Sequence, residues 1–172
     1  ELNGNPSFPS PWKRSPVSHC EPNSSIAGRF APVSLLGRGA MGEVWLARER
    51  VSGPQVALKL VSPEDSMGPV GARHRREYLN LSCLRHPSIL QVYDYGVDHR
   101  DGARWFSSEV LRGPVSGELA GNLSLHRWLE MCQGILSPLA FLHRNGWVHG
   151  DIKSDNVRFR DVPRDESPLD PV

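Results

Sequence analysis

The sequence has no apolar run near the roughly 18 residues that cross a bilayer, and its opening Glu1-Leu2-Asn3-Gly4-Asn5-Pro6 has no signal-peptide core. No membrane segment is expected in this stretch, and a cytoplasmic location is the simplest expectation. The first residue is Glu rather than Met, so something upstream is expected to have been removed or left unread. Cysteine is scarce: Cys20, Cys83 and Cys132 are odd in number and widely spaced, which argues against a disulfide framework and a zinc site. Charge of one sign is missing too. Twenty Lys and Arg against 19 Asp and Glu leave a formal charge of +1, so nothing favours nucleic acid or an anionic membrane surface as partner. The one basic run, Arg73-His74-Arg75-Arg76, is short.

What the sequence holds in excess is glycine and proline, 16 and 15 of 172 residues, above the usual share. Five of the prolines fall in residues 1–28 with six serines and three asparagines, a stretch that cannot bury enough surface to offset ordering entropy and is expected to be a disordered leader. From Phe30 the pattern changes. Apolar stretches at 33–36, 44–47 and 56–61, separated by Gly-containing turns, predict three antiparallel strands. Residues 63–71 read as a polar connector. Tyr78, Leu81 and Leu84 then fall at helical spacing within 72–84. Residues 89–95 and 104–111 predict two further strands. Ser124 suits the N-cap of a long helix closed by Gly146, with Pro138 inside it expected to kink it. A short strand is expected at 157–159.

Three elements carry chemistry. Gly37-Arg38-Gly39-Ala40-Met41-Gly42 is a G-x-G-x-x-G element, which alone can be only a tight turn. Its dinucleotide-binding form needs a helix after the third glycine, whereas Glu43-Val44-Trp45-Leu46-Ala47 reads as a strand. The loop therefore sits in a hairpin, where missing side chains let backbone N–H groups approach phosphate oxygens. Lys59, in Val56-Ala57-Leu58-Lys59, lies on the next strand. It could simply reach solvent, or point beneath the loop with Glu77 of the helix as its anionic orienter. The third element, His149-Gly150-Asp151-Ile152-Lys153-Ser154-Asp155-Asn156, puts an acid, a cation and a carboxamide in one loop. Phosphoryl transfer to a hydroxyl needs these together: a carboxylate to orient the hydroxyl, a cation on the moving phosphate and a neutral oxygen for Mg²⁺.

With these motifs in this order, residues 30–159 resemble the N-terminal part of a eukaryotic-type (Hanks-type) serine/threonine protein kinase domain. Leu84-Arg85-His86-Pro87-Ser88-Ile89 after Glu77, and Glu109-Val110-Leu111-Arg112-Gly113 as an interlobe hinge, add to the match. The resemblance implies an α+β fold: a five-stranded antiparallel N-lobe with one helix, then the start of a mainly helical C-lobe. The implied division is leader 1–28, N-lobe and hinge 29–111, and partial C-lobe 112–172. It also implies ATP and Mg²⁺ as cofactors and a protein substrate with a Ser or Thr acceptor, the form suggested by a lysine two residues after the catalytic Asp.

By the same resemblance Gly37, Gly39 and Gly42 cover the phosphates. Leu36, Val44 and Ala57 sandwich adenine, the backbone of Glu109 and Leu111 hydrogen-bonds it, and Ser108 is a small gatekeeper. Lys59 with Glu77 holds the α- and β-phosphates. Asp151 is the catalytic base, Lys153 touches the γ-phosphate and Asn156 ligates the metal.

Four departures accompany the match. Gly150 replaces the arginine that grips an activation-loop phosphate, so activation is expected not to depend strongly on phosphorylation there. Arg158 replaces an apolar residue beneath the adenine, where its methylene stem can serve as a floor. Ser154 stands for a proline. No Asp-Phe-Gly is present; residues 163–170 read as an extended turn before the strand that carries it. Two alternatives stay open: a small-molecule phosphotransferase of the aminoglycoside/choline-kinase type, which shares His-Gly-Asp, and a non-catalytic pseudokinase module.

Overall fold

The computed structural model describes residues 25–39, 41–51, 53–121, 123–161 and 169–172. Residues 1–24 of the expected leader, and residues 163–168 of the expected extended turn, lie outside the described residues. Five strands form one antiparallel sheet in the order β1-β2-β3-β5-β4: β1 Phe30–Gly39, β2 Gly42–Glu49, β3 Gln55–Val61, β4 Val92–Val97 and β5 Arg104–Ser108. The α+β architecture is as expected, with β4 starting three residues late and β5 ending three early. Two helices lie between β3 and β4. Residues 63–71, expected to be a connector, instead hold a one-turn helix α1 (Pro63–Ser66) and the first turn of α2 (Pro69–Ser82). Both start on a proline, whose missing N–H costs nothing at a first helical position. The Ser62 side chain caps α1 by accepting from the Asp65 N–H.

Alternation along the strands sorts the two faces of the sheet. One face carries Phe30, Ala47, Val56, Leu58, Leu60 and Trp105, which form the buried apolar cluster with Ile26. Phe30 packs edge-on against Trp105 at 5.1 Å. The opposite face carries Val44, Ala57, Lys59, Phe106 and Ser108, matched across strands in the pairs Val44–Lys59, Lys59–Phe106 and Ala57–Ser108. Helix α2 lies on this second face, with Tyr78 against Tyr95 and Phe106.

Ile26 corrects the expected boundary of the leader. It is 3% exposed and pairs with Phe30, because Asp98, in the turn after β4, reaches the segment before β1. Its carboxylate accepts from the Ala27 N–H at 2.7 Å and from the backbone and side chain of Arg100. Ala27 and Gly28 both have positive φ, +52° and +66°, and this tight turn drops Ile26 into the core.

After β5 come a five-residue helix α3 (Ser116–Ala120), unanticipated from the sequence, and the long helix α4 (Leu125–Arg144). Ser124 caps α4 by accepting from the Arg127 N–H. Its C-terminus is a Schellman motif: Gly146 N–H donates to His143 O and Trp147 N–H to Leu142 O. The assigned helix runs unbroken through Pro138. A 3₁₀ turn, Ser154–Asn156, follows. The expected strand at 157–159 is present as a short ladder: Phe159 bridges Pro171, while Arg158 exchanges backbone hydrogen bonds with Val172. None of the described helices is long and apolar enough to cross a membrane.

Asp98 yields the first test. Arg100 beside it holds its carboxyl below the ordinary range, so it stabilises the fold above about pH 4 and that contribution is lost as pH falls further. Asp98→Ala should cost roughly 2–3 kcal/mol at pH 7 in urea unfolding, and Asp98→Asn should flatten the acid limb of stability against pH.

Candidate functional site

The first cluster is built by β3 and α2. Lys59 Nζ lies 2.7 and 2.6 Å from the two carboxylate oxygens of Glu77. Register explains why they meet. Lys59 shares its sheet face with Phe106, whose ring lies 5.7 Å from the ammonium, and the same ring seats α2 through Tyr78. Packing Tyr78 against the sheet brings its neighbour Glu77 over β3.

The glycine-rich element forms the β1–β2 hairpin. Gly37 and Gly39 end β1, exposed, and Gly42 opens β2. Gly42 has φ +117°, and a Cβ there would lie 1.9 Å from Leu60 O, so only glycine lets the hairpin descend onto β3. Glu43 follows it, a carboxylate 6% exposed. It accepts from the Trp45 indole N–H at 2.9 Å and pairs with Arg38 at 2.7 Å. This buried acid, which ties the loop to its own strand, is absent from the sequence-based set; alternation placing Glu43 beside Trp45 was the available signal. Leu36 is the unpaired residue of a bulge between the pairs Leu35–Trp45 and Gly37–Val44. Bulges re-aim side chains beside binding sites, and Leu36 is 47% exposed. Val44 is half-buried opposite Lys59, and Ala57 is buried.

Past β5 the Glu109 N–H is engaged by Gln91 O at 2.9 Å, leaving its carbonyl as the group able to meet a ligand. That carbonyl accepts from the Ser108 hydroxyl at 3.2 Å and retains a second lone pair. No backbone hydrogen bond among the described residues uses the N–H or C=O of Leu111. Arg160, another residue not singled out from sequence, locks this segment. Its guanidinium pairs with the Glu109 carboxylate, donates to Pro87 O at 2.6 Å and meets Asp170 at 2.9 Å. Asp170, the acid nearest the expected position of Asp-Phe-Gly, is thus engaged in an ion pair with Arg160. Arg158 donates to Gly113 O at 3.0 Å.

The second cluster is the loop after α4. Asn156 Nδ2 donates to Asp151 O at 2.8 Å and to Asp151 Oδ2 at 2.9 Å, and Lys153 Nζ lies 3.1 Å from the same carboxylate oxygen. With Nδ2 committed to Asp151, the Asn156 Oδ1 is its acceptor for a cation. All three side chains are exposed. Lys153, then Asn156, hold the Asp151 carboxyl below the usual carboxylate range. Gly150 has φ +77°, where an arginine would be strained, so this loop is built around its glycine. Among the described residues no hydrogen bond or ion pair joins this cluster to Lys59 and Glu77.

Comparison with known proteins gives a consistent picture. The sequence model of the family described as protein kinase domain matches residues 30–162. A probable serine/threonine-protein kinase of Streptomyces coelicolor is 39% identical over 138 residues, covering 77% of this chain and 20% of that protein. The serine/threonine-protein kinase PknA of Mycobacterium tuberculosis is 33% identical over 140 residues, covering 77% and 32%. PrkC of Bacillus subtilis is 32% identical over 136 residues, covering 77% and 21%. The chain thus spans between a fifth and a third of the length of these relatives.

The second cluster makes a direct prediction. In an NMR carboxyl titration, Lys153→Met should raise the Asp151 pKa toward that of an ordinary aspartate, and Asn156→Ala should raise it less.

Proposed function

The chain belongs to the protein kinase domain family, and on that footing we propose that the protein containing it is an ATP- and Mg²⁺-dependent serine/threonine kinase acting on protein hydroxyls in the cytoplasm. The observation that carries this reading is the formed Lys59–Glu77 pair beneath a glycine-rich hairpin, together with Asp151, Lys153 and Asn156 in one loop. In this reading residues 29–111 are the nucleotide-holding lobe and hinge, and 112–172 begin the substrate lobe.

The donor set fits Mg·ATP. Ala57 is small and buried where a larger side chain would fill the adenine slot, with Leu36 and Val44 as its other walls. Glu109 O and Leu111 offer backbone groups to the base, and Gly37, Gly39 and Gly42 clear the approach to the phosphates. Lys59, oriented by Glu77, supplies a fixed cation for the α- and β-phosphates, and Asn156 Oδ1 is the metal ligand this chain provides. When bound, Mg·ATP supplies the phosphoryl group, with the metal neutralising charge on its oxygens.

Asp151, with its lowered pKa, is a weak proton acceptor, so its main work is to orient the acceptor hydroxyl until the proton is released late in transfer. Lys153 does two things: it keeps Asp151 ionised and brings positive charge to the transferring phosphate. Catalysis of this kind is mostly positioning and electrostatic stabilisation. A lysine two residues after Asp151 supports a Ser or Thr acceptor, and Gly150 supports activation that does not depend strongly on a loop phosphate.

In the full-length protein, Asp151→Asn should lower phosphate transfer to a protein substrate at least about a hundredfold while leaving the far-UV circular dichroism unchanged. Unchanged turnover would overturn the reading. Transfer to an aminoglycoside or choline instead of protein would replace it with the small-molecule alternative.

A further inference from the structure

The most deeply buried polar side chain on α2 is His74, with no exposed surface, one turn before Glu77. Its Nε2 lies 3.2 Å from the backbone carbonyl of Lys59. A carbonyl only accepts, so Nε2 carries the proton and Nδ1 bears the lone pair. Nδ1 is buried with no hydrogen-bond partner among the described residues. The ring lies against Phe106 and Tyr95, with centroids 4.9 and 5.8 Å away. Helix α2 therefore grips one residue of β3 twice, through His74 on the Lys59 backbone and through Glu77 on its ammonium.

We propose that His74 is a positioning residue: as the neutral Nε2–H form it sets the height and rotation of α2 that deliver the Glu77 carboxylate to Lys59, and a positive charge on its ring, which this buried site cannot solvate, drives α2 from that seat. The inference rests on the reading above that the Lys59–Glu77 pair orders the nucleotide phosphates. An ion pair between long side chains is tolerant in geometry, whereas a packed ring with one hydrogen bond is not. His74 is the more exacting of the two contacts.

The surroundings oppose a second proton. Burial disfavours the imidazolium most; the Lys59 carbonyl and, less, the Glu77 carboxylate favour it, while the charges of Lys59 on β3 and Arg104 on β5 disfavour it. Tyr95 of β4 and Phe106 of β5 pack against the ring and bring no anion. Burial, the largest effect, pushes the imidazole below its ordinary value of 6.5. A histidine so depressed contributes stability fully above about pH 6.5 and loses it as pH falls toward the lowered value. The same window should govern the docking of α2.

The test uses the full-length protein and two variants. His74→Gln can offer an amide N–H to Lys59 O without titrating; His74→Phe fills the space with no donor. His74→Phe should lower kcat/KM for ATP about three- to tenfold, the scale of one lost buried hydrogen bond, and speed hydrogen exchange of the α2 amides. His74→Gln should restore both to within about twofold. The ratio of His74→Gln to wild-type activity should rise several-fold from pH 7.5 to 5.5, since only the wild type titrates at this position.

His74→Phe matching the wild type in kcat/KM and exchange, or a constant activity ratio across that range, would overturn the proposal. If His74→Phe does not fold, the pH ratio alone decides. Asp151→Asn assayed alongside separates the two readings: full activity there removes the kinase assignment, while the exchange response of α2 still judges His74.

Discussion

The candidate site turns on one contact, the Lys59 ammonium held by both oxygens of Glu77. It joins a strand to a helix eighteen residues away, so β3 must be in register and α2 correctly rotated for it to form. It is not what holds the fold together. The two side chains are 18% and 31% exposed, and partly solvated pairs of this kind contribute a modest net stabilisation. Causality runs the other way. The buried face of Phe30, Leu58, Leu60 and Trp105 fixes the sheet, and Phe106 with Tyr95 seats α2. The ion pair reports that both are in place.

A similar relation holds around the rest of the candidate site. Glu43 is a buried acid satisfied by Trp45 and Arg38, and it stiffens a hairpin that its glycines would otherwise leave loose. Arg160 fastens the segment after β5 to the α2–β4 connection and to Asp170. In the loop after α4, Asn156 and Lys153 converge on the Asp151 carboxylate. In each case a charged group is held by at least two partners, and for Arg160 they come from three separate stretches of chain.

Much of this was legible in the sequence wherever chemistry or period is local. The strand after Gly42 excluded the helix-linked dinucleotide loop, helical spacing singled out Tyr78, the need of Lys59 for an anion pointed to Glu77 beside it, and the Asp151 to Asn156 loop announced itself by its residue types. What escaped is long-range. Ile26 sits in a proline- and serine-rich context, yet it is buried because Asp98, seventy residues on, clips its neighbour Ala27. The bulge at Leu36 is a property of a strand pair. His74 lay inside a run read as a short basic stretch, and only docking shows that it turns inward while Arg73, Arg75 and Arg76 stay exposed. The segment 63–71 looked like a connector because its proline and glycine content masked two helix starts.

The central claim is that Lys59 and Glu77 act as one unit in holding nucleotide phosphates. A double-mutant cycle on ATP affinity in the full-length protein, read by calorimetry with Lys59→Met, Glu77→Gln and the double variant, tests it most directly. The account predicts that each single variant weakens binding about as much as the pair together. Strictly additive losses, or affinity unchanged in Lys59→Met, would contradict it.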